Sequence, residues 1–166
     1  MASDQQQIRS DIIASLPRLR RFACSLTGQV ADADDIVQIA IERALGRLDQ
    51  FQAGTRLDAW MFSIVRNAWI DEARSRARRG RTFVAAELGD QVGEDGESTM
   101  HARLEAQDVW VAMQQLPHEQ REAIALVCVE GLAYREAADV LGVPIGTVTS
   151  RLARGREALQ SLLGAV

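Results

Sequence analysis

The chain has 166 residues, 47% hydrophobic and 25% charged, the balance of a soluble globular protein and enough for one ordinary domain or two small ones. No apolar run reaches the ~18 residues that would suggest a membrane-spanning helix. The opening MASDQQQIRSD lacks the apolar stretch of a signal peptide, so the cytoplasm is the expected compartment. A net charge of −4 excludes a free-standing, strongly basic DNA binder, although all 19 cations are arginine, a planar donor suited to phosphates and base edges.

Apolar residues recur at helical spacing throughout, and no alternating strand pattern appears, which predicts an all-α fold. The first helix is expected from Ile8 to about Gly28, with Ile12, Ile13, Leu16, Leu19 and Phe22 inward and Pro17 as a kink or break. A second runs roughly from Ala33 to Leu48, with Val37, Ala40, Ile41, Ala44, Leu45 and Leu48 inward. Its opening carries Asp34, Asp35, Gln38 and Glu42, of which the last three share one face. An acidic first turn is also ordinary complementarity to the helix dipole. The loop DQFQAGT (Asp49–Thr55) precedes a third helix from about Leu57 to Arg79. There Asn67, Asp71, Arg74 and Arg78 fall at i, i+4, i+7 and i+11, a polar stripe opposite the face of Trp60 and Ile64. Six arginines between Arg66 and Arg81 exceed what capping of a helix C-terminus needs, so nucleic-acid contact is the sharper reading of that stripe. Trp60, Phe62 and Trp69 could stack on single-stranded bases, although Trp60 sits mid-stripe as a core residue would.

Composition then shifts. ELGDQVGEDGEST (Glu87–Thr99) has three glycines and five acids, a linker signature. It divides the chain into residues 1–80, a linker at 81–100 and residues 101–166. Each of the two domains is small enough to lean on a partner. The second domain reads as helices over Met100–Leu116, Glu119–Glu130, Tyr134–Leu141 and about Pro144–Leu163. Gly131 and Gly142 stand where left-handed cap residues are wanted. YREAADVLG, the turn GVP and PIGTVTSRLARGREAL together form a helix-turn-helix pattern. Val148, Leu152, Leu159 and Leu162 can pack inward, while Thr147, Arg151 and Arg154 fall on another face with Ser150 beside them. Recognition helices meet base edges with their N-terminal half, where arginine contacts guanine and small hydroxyls contact phosphates or bases. A solvated helix face in a bundle would carry similar arginines. Gly146 would remove a side chain where the first turn approaches the preceding helix or DNA.

Cys24 and Cys128 lie in apolar surroundings without a second Cys or His at ligand spacing, so buried thiols are expected, with no metal and no cofactor. His101 and His118 are far from catalytic partners in sequence and are expected at the surface or at helix ends. No phosphate loop or nucleophile motif points to an enzyme.

ADDIVQ (Ala33–Gln38), RLDAWMFSIVRNAWIDEARSRARR (Arg56–Arg79) and LPHEQREAIALVCVEGLAYREAADVLGVPIGTVTSRLARGREAL (Leu116–Leu159) occur in this order around the linker. The sequence thereby resembles the extracytoplasmic-function (ECF) sigma factors of bacterial RNA polymerase over nearly its whole length. FQAGTRLDAW and LPHEQREAIALV look most like the alphaproteobacterial general-stress branch. The resemblance implies a sigma region 2-like domain that docks on the core polymerase clamp and opens the −10 element, and a region 4-like domain that reads the −35 element. It places Asp34, Asp35, Gln38 and Glu42 in the polymerase-binding segment. Asn67, Asp71, Arg74 and Arg78 fall on the −10-facing helix. Gln52, Thr55 and Arg56 fall in the loop that captures a flipped −10 base. Thr147, Thr149, Ser150, Arg151 and Arg154 fall on the −35 recognition helix. Ile39 and Thr149 depart from the usual acid and lysine of relatives. Core polymerase, promoter DNA and an anti-sigma factor are the implied partners. An autonomous helix-turn-helix regulator and a helical interaction module are the rival readings.

Overall fold

The computed structural model describes residues 2–80 and 100–164, and the described residues contain helices and no strands. Most of the expected linker, 81–99, lies outside them. The first domain holds α1 (Ala2–Thr27), α2 (Val30–Leu45), a short 3-10 turn (Leu48–Gln50) and α3 (Leu57–Arg78). The second holds α4 (Met100–Gln114), α5 (His118–Ile124) running into a π turn (Ala125–Val129), α6 (Tyr134–Leu141) and α7 (Ile145–Gly164).

α1–α3 pack pairwise around Leu19, Phe22, Ile36, Ala40, Met61, Phe62 and Val65, each at most 1% exposed. Phe22 meets Phe62 edge-on, ring centres 5.2 Å apart, the geometry that places a positive ring edge on a negative face. α1 continues through Pro17 as one helix. The inward assignments of Ile13 and Leu45 are corrected. They are 66% and 44% exposed, because they sit beside the buried stripe rather than on it. α2 starts three residues earlier than expected and its end tightens into the 3-10 turn that buries Leu48.

In the second domain α5 and α7 cross closely, with α6 completing the helix-turn-helix over Leu126, Ala137, Ala138, Val148 and Leu152. Gly142 ends α6 at φ +66°, with its N–H donating to Asp139 O and that of Val143 to Ala138 O. This double closure is the left-handed glycine cap expected from the sequence. Gly131 likewise has φ +74°. A Cβ on Gly146 would meet nothing within 4 Å, so that glycine does not serve approach to the preceding helix. Gly155 is the close-approach glycine instead. A Cβ there would lie 2.5 Å from Ile124 Cδ1 and 3.4 Å from Gln120 Cβ. Cys24 is buried, which pushes its thiol up to about 11, but Cys128 is exposed beside Arg156 and is no core residue.

The two domains lean on each other. α1 touches α5 and the π turn, α3 touches α6, and the buried apolar residues of both domains form one continuous cluster. The small size of each half is met by this shared core.

Because α7 must lie on α5 at Gly155, Gly155→Val should lower stability by about 1–3 kcal/mol. Gly155→Ala should come closer to neutral, since alanine's helix propensity offsets part of the crowding and Ile124 Cδ1 can swing away. Urea unfolding of the two variants checks the order.

Candidate promoter and polymerase surfaces

Three exposed surfaces emerge. The first is a groove of about 370 Å³ between α2 and α3, lined by Asp35, Ile36, Gln38, Ile39, Glu42 and Glu72 together with Asp32 and Arg76. Three of the four expected polymerase contacts therefore meet in one acidic groove. Asp34 lies off the groove lining and is exposed, paired with Arg20 Nε at 2.7 Å. The sequence reading missed Asp32, Glu72 and Arg76. Arg76 reaches Asp32 at 2.7 Å and Glu72 at 3.1 Å, tying α3 to α2 across the groove. Ile36, 1% exposed, and the half-buried Ile39 form its apolar floor.

The second surface lies on α3 and the loop before it. Asn67, Asp71, Arg74 and Arg78 lie along one face of α3, where Asn67 and Asp71 are exposed and Arg74 and Arg78 carry the stripe to the helix end. Asp71 accepts from Arg43 Nη1 at 2.9 Å, so α2 holds one carboxylate of the stripe. Arg66 and Arg76 are not part of the arginine surface. Arg66 faces the second domain and Arg76 faces Asp32. In the loop, Thr55 closes a tight turn by donating its N–H and its hydroxyl to Gln52 O, at 3.2 and 2.6 Å. Gly54 takes φ +89° to make that turn possible. Gln52, Thr55 and Arg56 are exposed, and Asp58 receives Arg56 Nε at 3.0 Å. Phe51 packs on Trp60, ring centres 5.3 Å apart, which seats the loop on α3 and leaves Trp60 half-buried.

The third surface is the N-terminal half of α7. Thr149, Ser150 and Arg154 are exposed and Thr147 is half-buried. Thr149 and Ser150 donate their hydroxyls back to Ile145 O and Thr147 O. Arg151 is only 18% exposed at its side chain and lies 3.9 Å from Glu119 of α5, a loose contact at the edge of ion-pair range.

Between the domains stand carboxylates that sequence spacing did not single out. Glu122, 1% exposed at its side chain, receives Arg66 Nε at 2.8 Å and Nη2 at 3.1 Å, with His118 Nε2 at 3.4 Å. His118, expected at a surface or helix end, does open α5, but its ring lies against Trp69 of α3 with centres 4.4 Å apart. Glu130, with no side-chain exposure, receives Arg21 Nε and Nη2 at 2.7 and 2.8 Å and Arg18 Nε at 3.3 Å. Arg18 also donates to Glu130 O at 2.6 Å and to Asp58 at 3.0 Å. Glu136 pairs with Arg56 at 2.7 Å. Burial alone would push the Glu122 carboxyl up. The hydrogen bond from His118 and the Arg66 guanidinium outweigh it, and the group rests below the usual 4.5.

Two helical domains, the second ending in a helix-turn-helix and the first carrying an acidic groove and an arginine-bearing helix, define a two-site helical protein of the nucleic-acid-reading class. Comparison with known proteins specifies the family. Residues 12–79 match the Sigma-70 region 2 family and residues 106–159 the Sigma-70, region 4 family. The chain is 39% identical over 156 residues to the ECF RNA polymerase sigma factor EcfG of Rhodopseudomonas palustris, covering 94% of this chain and 84% of that one. It is 34% identical over 148 residues to the ECF RNA polymerase sigma factor SigE of Mycolicibacterium smegmatis, covering 88% of this chain and 57% of that one. Its fold matches the sigma factor RpoE, solved in complex with the anti-sigma factor NepR from Bartonella quintana. The TM-score is 0.83 at 34% identity, over 96% of this chain and 98% of that one. The chain belongs to the ECF family of RNA polymerase sigma factors. Its likeness to EcfG and to RpoE agrees with the general-stress branch suggested by the sequence.

Glu122 has a depressed folded pKa, so its stabilising contribution is complete above about pH 4.5 and is lost as pH falls through the folded value. Wild-type melting temperature should therefore fall on acidification below that point. Glu122→Gln should melt lower at neutral pH, by about 1–3 kcal/mol of stability, and show a flatter acid limb. Thermal melts from pH 7 to pH 3 check both.

Proposed function

We propose that this chain acts as an alternative sigma factor in the cytoplasm. It binds core RNA polymerase through the α2–α3 groove and directs initiation at promoters read by two separate surfaces. In this reading Asp35, Gln38 and Glu42, with the Ile36–Ile39 floor, take the polymerase clamp, and Asp34 contacts it from the groove's edge. Asn67, Asp71, Arg74 and Arg78, with Gln52, Thr55 and Arg56, take the opened −10 element. Extruding a base costs a few kcal/mol, which contacts from polymerase and loop can offset. Thr147, Thr149, Ser150, Arg151 and Arg154 take the −35 element, with Arg154 the most available for a guanine and Arg151 released from Glu119 on binding. The observation that carries the reading is the conjunction, in one chain, of an exposed acidic groove with an apolar floor and a helix-turn-helix whose second helix presents hydroxyls and arginines.

The net negative charge fits this role. Phosphate neutralisation dominates affinity for free DNA, so a chain of net charge −4 binds duplex weakly alone and gains its affinity inside the polymerase complex. The role is one of binding and positioning, not of enzymatic chemistry. An anti-sigma factor is the natural restraint, as one is bound to the Bartonella relative, and CnrH too is solved with a protein partner, the cytosolic domain of CnrY (TM-score 0.70, 28% identity).

Run-off transcription with core polymerase from a related bacterium should give specific initiation. Arg151→Ala/Arg154→Ala should reduce it at least tenfold, about the loss of one to two good base contacts at 1–3 kcal/mol each. A wild-type chain that fails to bind core polymerase would refute the assignment.

A further inference from the structure

Arg56 has two carboxylate partners of different kinds. Asp58, two residues on in the same domain, receives its Nε and holds the guanidinium in orientation. Glu136, from the first turn of α6 in the other domain, lies 2.7 Å from Nη1. The Glu136 Oε2 atom is buried yet has no aligned hydrogen-bond donor, so the contact is an ion pair without the directional bond that would lock it. Around this pair a groove of about 290 Å³ runs between the domains. Thr55, Arg56, Trp60 and Ser63 line one side, and Glu136 and Asp139 the other. Cation, hydroxyls and an aromatic ring thus face a roof of carboxylates.

We propose that Glu136 stands in for a nucleic-acid phosphate on Arg56, so that docking of the second domain competes with DNA for this guanidinium until the domains part. The proposal rests on the promoter reading of Arg56 given above. A guanidinium presents the same N–H fork to carboxylate and to phosphate, and the two cannot occupy one position together. The other interdomain carboxylates make the closed form releasable. Glu122 and Glu130 are paired with the first domain's arginines only while the domains are docked. Parting returns these groups to water, and the attraction to arginine lost on opening is largely offset by the hydration regained. Ion pairs of this kind fix which surfaces meet while adding little net affinity, and binding elsewhere can then tip the balance.

The test uses the full chain and a fluorescein-labelled single-stranded 20-mer of mixed sequence, read by anisotropy at low salt, with circular dichroism confirming that each variant is folded. Glu136→Gln should tighten binding about fivefold, the lower range of coupling between two sites, and should raise the radius of gyration in solution scattering. Arg56→Ala should weaken binding. Arg56→Ala/Glu136→Gln should show no gain over Arg56→Ala. Asp139→Asn removes a charge from the same groove without touching the Arg56 pair and should change affinity by less than half as much. An unchanged affinity in Glu136→Gln alongside a loss in Arg56→Ala overturns the latch and leaves the promoter reading standing. No loss in Arg56→Ala overturns that reading and the latch with it. An equal gain in Asp139→Asn assigns the effect to general charge and overturns the specific role of Glu136.

Discussion

Two carboxylates shielded from water, Glu122 and Glu130, govern how this molecule is assembled. Neither can be buried unpaired, since a lone buried charge costs several kcal/mol. Each is met by arginines from the other domain: Arg66 for Glu122, Arg18 and Arg21 for Glu130. The pairing sets the register between the domains more narrowly than the apolar cluster could, because greasy surfaces slide and bidentate forks do not. Arg18 extends the constraint. It also bonds Asp58 and lies 5.3 Å from the centre of the Phe62 ring, so one side chain links α1, α3 and the end of the π turn.

The same arrangement redistributes the arginines that made the sequence look like a nucleic-acid binder. Arg66 and Arg76 are used internally, and Arg56 is shared. The remaining arginines of the α3 stripe, Arg74 and Arg78, lie toward the C-terminal end of that helix, where the helix dipole already favours positive charge. A stripe with only two arginines suits the proposed role, in which DNA contacts are made alongside a larger enzyme. On the promoter reading proposed above, affinity is spread over several weak sites that must be engaged together.

Much of this was legible in the sequence. The helix-turn-helix could be read because its signals are local: small residues in α6, Gly142 in the left-handed region, and a 3.6-residue stripe of Val148, Leu152 and Leu159. The shared face of Asn67, Asp71, Arg74 and Arg78 followed from phase alone. The interdomain acids were not legible. Glu122 ends the polar run HEQRE that opens α5, where a carboxylate looks solvent-facing, and Glu130 closes an apolar run. Their partners are 56 and 109 residues away in the chain, a separation no periodicity encodes. Gly155 was missed for a similar reason, since a glycine inside a helix gives no sign of which helix crosses it. Ile13 was misplaced because a neighbouring isoleucine, Ile12, already fills the inward position.

The π turn at Ala125–Val129 sets the phase at which Glu130 leaves the helix. Glu130 N–H donates to Ala125 O at 2.9 Å, one residue further back than an α-helix would reach, and the side chain emerges toward α1. Loss of one residue from this stretch would make that bond an ordinary i→i−4 one and leave Glu130 near its present place, whereas loss of a second would turn it by about 100° about the axis, away from Arg18 and Arg21. The segment is therefore constrained in length more than in composition. Among related chains it should accept exchange of one apolar residue for another and the loss of the one extra residue of the π turn, and reject longer changes, a counting rule imposed by a carboxylate that must arrive on the correct side.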